Sequence, residues 1–281
     1  SLSSPPARIN CPILSTFRAN ENWVSMKKTK DNFSKQSELY QKFRPGYPQG
    51  LIDLLCEHIP ETNLAWDCAT GNGQVARMLS EKFERVVATD ISAEQLEKAA
   101  TAENITYRIE RAEKSSLPDA SADLVMVAQA IHWFDFDHFY TEAQRVLKKD
   151  GLIAVIGYPL LTTENGQLDE TIRFFYRDVV GKYWDAERKY IDERYASIPF
   201  PFEEIHLSEF EIKYNWSLEQ ISGYLKSWSA VGHFKRENGT NPLKLIEGQM
   251  NKIFSETGQV EVKFEIIGRY GRMPAEYEGP R

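Results

Sequence analysis

The chain has 281 residues, 42% hydrophobic and 27% charged, with a net charge of −7 and a pI near 5.4. That length can bury a sizeable core, while the acidic balance argues against a broad nucleic-acid or anionic-membrane face. No apolar run approaches the ~20 residues a bilayer span requires, and Cys11, Cys56 and Cys68 form no C-x-x-C pair, so a reducing, cytoplasmic setting is expected.

Residues 1–30 differ from the rest. They hold Ser-Ser-Pro-Pro, the basic residues Arg8, Arg18, Lys27, Lys28 and Lys30, and the single acid Glu21. A transit peptide shares this composition. The reading adopted is a disordered or appended leader, with Met26 as a natural start, followed by one domain over 31–275 and a tail over 276–281.

From Phe33 onward strand-like and helix-like segments alternate, the pattern of an α/β sheet. Leu51, Ile52, Leu54 and Leu55 predict an amphipathic helix between Pro48 and Pro60. Strands are predicted over 64–68, 85–90, 105–109 and 123–128. A helix over 75–83 follows the first strand, and Ser92-Ala93-Glu94-Gln95 reads as a capping box opening another. Phe136, Phe139, Ala143, Val146 and Leu147 lie at helical spacing, with Lys148, Lys149 and Gly151 ending that helix. The unbroken apolar run 152–156 suits a strand covered on both faces. Together these predict a doubly wound, mainly parallel sheet.

Residues 158–234 contain 16 of the 34 aromatic side chains, which predicts a helical, aromatic-rich lid insertion at about 160–205. A strand over 209–216, a helix capped by Ser217-Leu218-Glu219-Gln220, and an alternating strand over 260–267 complete the pattern. The two late strands are expected to close the sheet with an antiparallel edge.

The stretch Ala65-Trp66-Asp67-Cys68-Ala69-Thr70-Gly71-Asn72-Gly73 places a glycine turn directly after the first strand, where open α/β sheets bind ligands. Asp90 ends the second strand, placed to accept hydrogen bonds from ribose hydroxyls. Gly71 to Ala76 also fits G-x-G-x-x-A, so a nicotinamide-dependent oxidoreductase is one reading. Asp67 argues against it, because its carboxylate would repel a pyrophosphate and suits a ligand with an ammonium group. No second glycine turn serves a nicotinamide half. Ala112 and Glu113, after the third strand, are placed to meet an adenine edge.

Asp67 to Gly73 resembles motif I, D-x-G-x-G-x-G, of class I S-adenosylmethionine-dependent methyltransferases. The segments LPDASADLVMVAQAIHWFD and RVLKKDGLIAV resemble later motifs of the type-11 group. YQKFRPGYPQGL, PFPFEEI and WSLEQISGYLKSWSAV extend the likeness, over about 33–271, to small-molecule enzymes similar to trans-aconitate methyltransferases. The resemblance implies a Rossmann-like fold with a seven-stranded, mainly parallel sheet and an antiparallel edge strand. It also implies S-adenosylmethionine as cofactor, with S-adenosylhomocysteine as product.

By that resemblance Asp67, Ala69, Gly71 and Gly73 face the methionine part, Asp90 the ribose and Ile91 the adenine face. Ala112 and Glu113 lie near the adenine edge, and Gln129 and Trp133 near the methionine part. Ala69 stands where the family has its first glycine, a change expected to be tolerated with negative φ. His132, after the fourth strand, is the candidate catalytic base; the competing reading is a packed or capping histidine. His233 is a second histidine that can reach the pocket, with a surface position as its alternative. Arg44, within Tyr40, Phe43 and Tyr47, is placed to hold a carboxylate bidentately or to pair with a backbone carbonyl. Tyr47, Tyr158 and Trp228 are candidate acceptor-pocket walls, from a pool that also holds Tyr176, Tyr183 and Trp184, most of which are expected to be core. No metal is implied. The expected partner is a small-molecule acceptor, preferentially carboxylate-bearing, with no nucleic acid and no membrane, for a monomer or homodimer. A catalytically silent cofactor-binding module is the rival from another class.

Overall fold

The computed structural model describes residues 43–275. The expected leader, the tail and Tyr40 lie outside the described residues. Helix α1 (Gln49–Glu57) enters after Pro48 and buries Leu51, Ile52 and Leu55 on one face. The chain then runs through β1 (Leu64–Cys68), α2 (Gln74–Leu79), β2 (Arg85–Asp90), α3 (Ala93–Leu96), β3 (Ile105–Ile109), β4 (Ala122–Ala128), α4 (Phe136–Val146) and β5 (Leu147–Gly157). The second half comprises β6 (Thr162–Thr163), α5 (Gly166–Phe174), α6 (Arg188–Asp192), β7 (Glu203–Ile205), β8 (Glu211–Ser217), α7 (Leu218–Lys226), α8 (Ser229–Asn238), α9 (Glu247–Thr257), β9 (Gln259–Glu265) and β10 (Ile267–Arg272).

Seven strands form the main sheet in the order β3-β2-β1-β4-β5-β10-β7. The first five are parallel, and β10 joins antiparallel to both β5 and β7. Every residue of β1 is buried, and alternate side chains feed two cores. Ala65, Ala88 and Met126 pack toward α1 and α2, while Trp66, Val125 and Val155 pack toward α4. Strand order reverses between β1 and β4, which opens a crevice at their carboxyl ends.

The expected fold class is present, but the antiparallel edge comes from different residues than expected. β8 and β9 pair with β6 in a separate three-stranded sheet. Their alternation buries Ile212, Trp216, Val262 and Phe264 in the core shared with the lid helices. The edge is β10, whose glycines hide the strand pattern. A Cβ at Gly268 would strike the Val155 carbonyl, and one at Gly271 the Glu203 carbonyl. Close backbone approach therefore replaces apolar alternation there.

Three boundaries also differ. α2 stops at Leu79, and Asn104 Nδ2 donates to the Ser80 and Phe83 carbonyls beyond it. α4 ends at Val146, and Lys148 lies in the strand that follows. The pairing there shifts register between Ala122 and Leu124, and Lys148 Nζ lies 2.6 Å from the buried Asp123 carboxylate. α3 is a single turn: Ser92 Oγ accepts from the Gln95 N–H, but Gln95 Oε1 has no partner and the box is half made. By contrast, the box at Ser217 and Gln220 is complete.

Candidate active site

A deep cleft occupies the crevice, with an empty volume near 1130 Å³ counting its open mouth. The turn between β1 and α2 forms its floor. Gly71 and Gly73 have φ of 58° and 78°, the left-handed region. Gly71 lines the cleft; Gly73 does not, and it serves the turn instead, because a Cβ there would collide with the Tyr107 hydroxyl. Ala69 also lines the cleft, with φ of 56°, so the negative φ under which the alanine was expected to be tolerated is not what it adopts. The Thr70 N–H donating to the Thr89 carbonyl at 2.9 Å ties the turn to β2, so the alanine adopts the glycine conformation at a cost of roughly 1 kcal/mol.

Asp67 is fully buried, yet it lines the cleft. Its Oδ2 accepts from the Thr70 hydroxyl, and its Oδ1 has no partner. Burial, only partly offset by the Thr70 hydroxyl and the Ala76 backbone, pushes its pKa up to about 7; the nearby Asp90 adds to the rise. An orphaned carboxylate oxygen in a ligand-sized cleft fits an incoming ammonium group.

Asp90 does more than the sequence suggests. Its Oδ2 accepts from the Gly71 N–H at 2.8 Å and its Oδ1 from the Ser92 N–H at 2.9 Å. It therefore braces the turn from β2. Ile91, 38% exposed, presents an apolar face to the same cleft. Ala112 and Glu113 lie across from it; Glu113 accepts from the Asp135 N–H and pairs with Arg111. Gln95 is a lining residue that the motif reading missed. Its buried, unpartnered Oε1 is an acceptor that the one-turn helix α3 carries.

Gln129, with φ of 55°, clamps β4 to β5. Its Oε1 accepts from the Tyr158 N–H at 2.8 Å, and its Nε2 donates to the Tyr158 carbonyl at 3.2 Å. Gln129, Trp133, Tyr47, Tyr158 and Arg44 all line the cleft. Arg44 reaches it from the entering chain, donating from Nε to Ser227 Oγ at 3.1 Å and from Nη2 to the Ser227 carbonyl at 3.4 Å. Arg44 thus pairs with backbone at the end of α7, as its structural reading expects, and also lines the cleft.

A smaller side cavity adjoins the cleft, sharing Arg44, Gln129 and Trp133 with it. His132 lies here and not in the main cleft. Its ring is 4% exposed, packs 5.0 Å from Trp133, and leaves Nδ1 without a partner. Burial, then the charges of Arg188 and Arg44, lower its pKa to about 3, so it is neutral at ordinary pH. His233 lies outside both cavities, with Nδ1 2.8 Å from the Tyr183 carbonyl. Trp228 lines neither: it is 2% exposed and packed among Phe175, Tyr176, Trp184 and Tyr224. Trp184, one of the aromatic residues from which pocket walls were expected, lines the side cavity, and so does Arg188, which the sequence reading did not single out. Among the described residues no helix is long and apolar enough to cross a membrane.

Residues 66–155 match the family described as a methyltransferase domain, and they span β1 to β5 with the glycine turn. A Dictyostelium discoideum protein named as a methyltransferase is 33% identical over 230 residues, covering 81% of this chain and 88% of its own. A Saccharomyces cerevisiae protein described as an S-adenosylmethionine-dependent methyltransferase is 23% identical over 244 residues, covering 74% and 83%. Among solved structures, an Anaeromyxobacter dehalogenans protein described as a type II methyltransferase superposes with a TM-score of 0.76 at 35% identity. That match covers 83% of this chain and 99% of the other. With the strand order, the glycine turn and an orphaned carboxylate suited to an ammonium group, these likenesses make the chain a member of the class I S-adenosylmethionine-dependent methyltransferases.

Proposed function

We propose that this enzyme methylates a small organic acceptor bearing a carboxylate, bound in the side cavity next to the cofactor cleft. The observation that carries this reading is the charge arrangement of that cavity: the Arg44 and Arg188 guanidiniums face a neutral, buried His132. An anion entering there meets two guanidiniums against the single lining carboxylate of Asp185.

On this reading Asp67 holds the methionine ammonium, Asp90 the ribose, Ile91 the adenine face, and Ala112 and Glu113 the adenine edge. S-adenosylmethionine supplies an electrophilic methyl on a sulfonium, whose sulfur keeps the electron pair when the methyl bonds to the acceptor oxygen. What remains for the chain is alignment and exclusion of water. Arg44, Gln129 and Trp133, shared by both cavities, line the junction where the acceptor oxygen must sit. A carboxylate is already ionised, so no proton has to be removed. His132 with a pKa near 3 is too weak a base to take one from an alcohol or phenol. Its role is therefore to hydrogen-bond and pack against the acceptor.

The test is incubation with methyl-labelled S-adenosylmethionine and a panel of small carboxylic acids. A base-labile labelled ester that releases methanol is the expected product. Label found only in base-stable products would overturn the carboxylate reading, and no labelled product from any acceptor pool would favour the silent module. Titration with S-adenosylhomocysteine against NADH separates the oxidoreductase reading.

A further inference from the structure

A third cavity, with an empty volume near 520 Å³ counting its open mouth, lies between α7, the 3-10 turn Pro242–Leu245 and α9. It shares no lining residue with the cofactor cleft or the side cavity. Its shape has a local origin. Leu218, Ser222 and Lys226 recur at every fourth position of α7 and so lie on one face, where the short Ser222 side chain leaves room between two longer ones. Asn241 Oδ1 accepts from the Leu243 N–H at 3.3 Å and Pro242 opens the turn, which together fix Leu243. Leu243 and Met250 are both buried and give the cavity an apolar floor.

The charged lining residues are Lys226, Lys244 and Glu247. Glu247 lies in the first turn of α9, where the helix dipole favours a carboxylate. Lys226 stands against Lys235 of α8, whose pKa is lowered by burial and then by the Lys226 charge. Among the described residues no acid pairs with Lys226, Lys235 or Lys244, whereas Lys82, Lys148, Lys182, Lys213 and Lys263 each have a carboxylate partner. A chain of net charge −7 thus gathers ammonium groups around one cavity without neutralising them. An acid group entering there meets two donors and relieves the repulsion between Lys226 and Lys235. Ammonium groups are compact point charges, so they suit a carboxylate or a phosphate head alike, while the floor suits an apolar tail. We propose that this cavity is a second ligand site, which binds a small amphiphilic anion with its acid group between Lys226 and Lys244 and its tail over Leu243 and Met250. Such a site is independent of which acceptor the enzyme methylates.

The test is calorimetric titration of the full chain saturated with S-adenosylhomocysteine, so that the cofactor cleft is filled. The probes are octanoate and octyl phosphate, with octanol as the tail alone and inorganic phosphate as the head alone. At least one octyl anion is expected to bind saturably, and about tenfold or more tightly than either control. A preference between the two identifies the head group. Lys226→Met and Lys244→Met are each expected to weaken that probe about tenfold, and Ser222→Leu, which fills the cavity, to abolish its binding. All three variants should keep the wild-type affinity for S-adenosylhomocysteine, which separates loss of the site from loss of the fold. Wild-type probe binding in all three variants would overturn the site, as would failure of both octyl anions to bind. Binding lost in Arg188→Met but kept in the lysine variants would place the probe in the side cavity and overturn the site equally.

Discussion

Asp67 makes cofactor binding pH-dependent in a direction that can be worked out from its surroundings. In the cofactor-free fold its pKa is about 7, against 3.8 for an ordinary aspartate. Between those values the unfolded chain carries Asp67 ionised while the folded chain keeps it protonated. The folded state therefore binds more protons, and stability falls as pH rises from about 4 to about 7. The full effect is roughly 4 kcal/mol, from about 1.4 kcal/mol for each pKa unit. An ammonium group at the unpartnered Oδ1 favours the ionised form and offsets that loss. About one Asp67 in eleven is ionised at pH 6 and about ten in eleven at pH 8. S-adenosylhomocysteine should accordingly bind roughly tenfold more weakly at pH 6 than at pH 8. Calorimetry in buffers of different ionisation enthalpy should show close to one proton released per ligand at pH 6 and almost none at pH 8. Asp67→Asn keeps an acceptor for the Thr70 hydroxyl but cannot ionise. It should bind about tenfold more weakly at pH 8, lose the pH dependence, and hold its cofactor-free Tm level between pH 5 and 7. Equal wild-type affinity at both pH values with no proton release would refute the assignment of the ammonium to Asp67.

Asp90→Ala removes the acceptor for the Gly71 and Ser92 N–H groups as well as the ribose partner. Cofactor affinity should fall by about 1–3 kcal/mol and Tm should drop in the cofactor-free protein too, by calorimetry and thermal melting. Loss of affinity with an unchanged cofactor-free Tm would show that the brace contributes nothing. Gly73→Ala should destabilise by about 2 kcal/mol or more in urea melts, from positive φ and collision with Tyr107. Tyr107→Leu should recover part of that loss in the double variant. With cofactor saturating, kcat/KM for the acceptor should show no ionisation from His132 between pH 5 and 8, because its free-enzyme pKa is near 3. A step near pH 6.5 that disappears in His132→Gln would restore it as a general base.

Local pattern and site differed in how far each was legible. The five parallel strands were readable because apolar runs of buried strands bounded by turns admit few alternatives. Asp67, Gly71, Asp90, Ala112 and Glu113 follow from that reading, since a parallel sheet gathers its strand ends in one crevice; Ala69, Ile91, Gln129 and Trp133 came from the family resemblance, and all nine line the cleft. Ala69 shows the limit: the residue type suggested negative φ, but the hydrogen bond from Thr70 to β2 imposes a left-handed turn. β10 was hidden because its glycines answer to neighbouring backbone, and β8 and β9 alternate identically whether they extend the main sheet or form another.

The aromatic insertion was the least readable region. Trp228 and Trp184 look equivalent along the chain, both in dense aromatic surroundings with an acceptor wall as one possible use. Packing buries Trp228 among four rings, while the π-helical stretch Phe175–Val179 turns Trp184 and Arg188 toward the side cavity. The sheet, the cofactor and the glycine turn are consequences of short-range pattern, because strand patterning, turn chemistry and the carboxylate near the end of β1 are each encoded within a few residues. The acceptor side depends on contacts between residues as far apart as Arg44 and Ser227, and on burial that leaves His132 neutral between two guanidiniums. Such fields and long-range contacts arise from the folded arrangement, and no local stretch of the chain carries them.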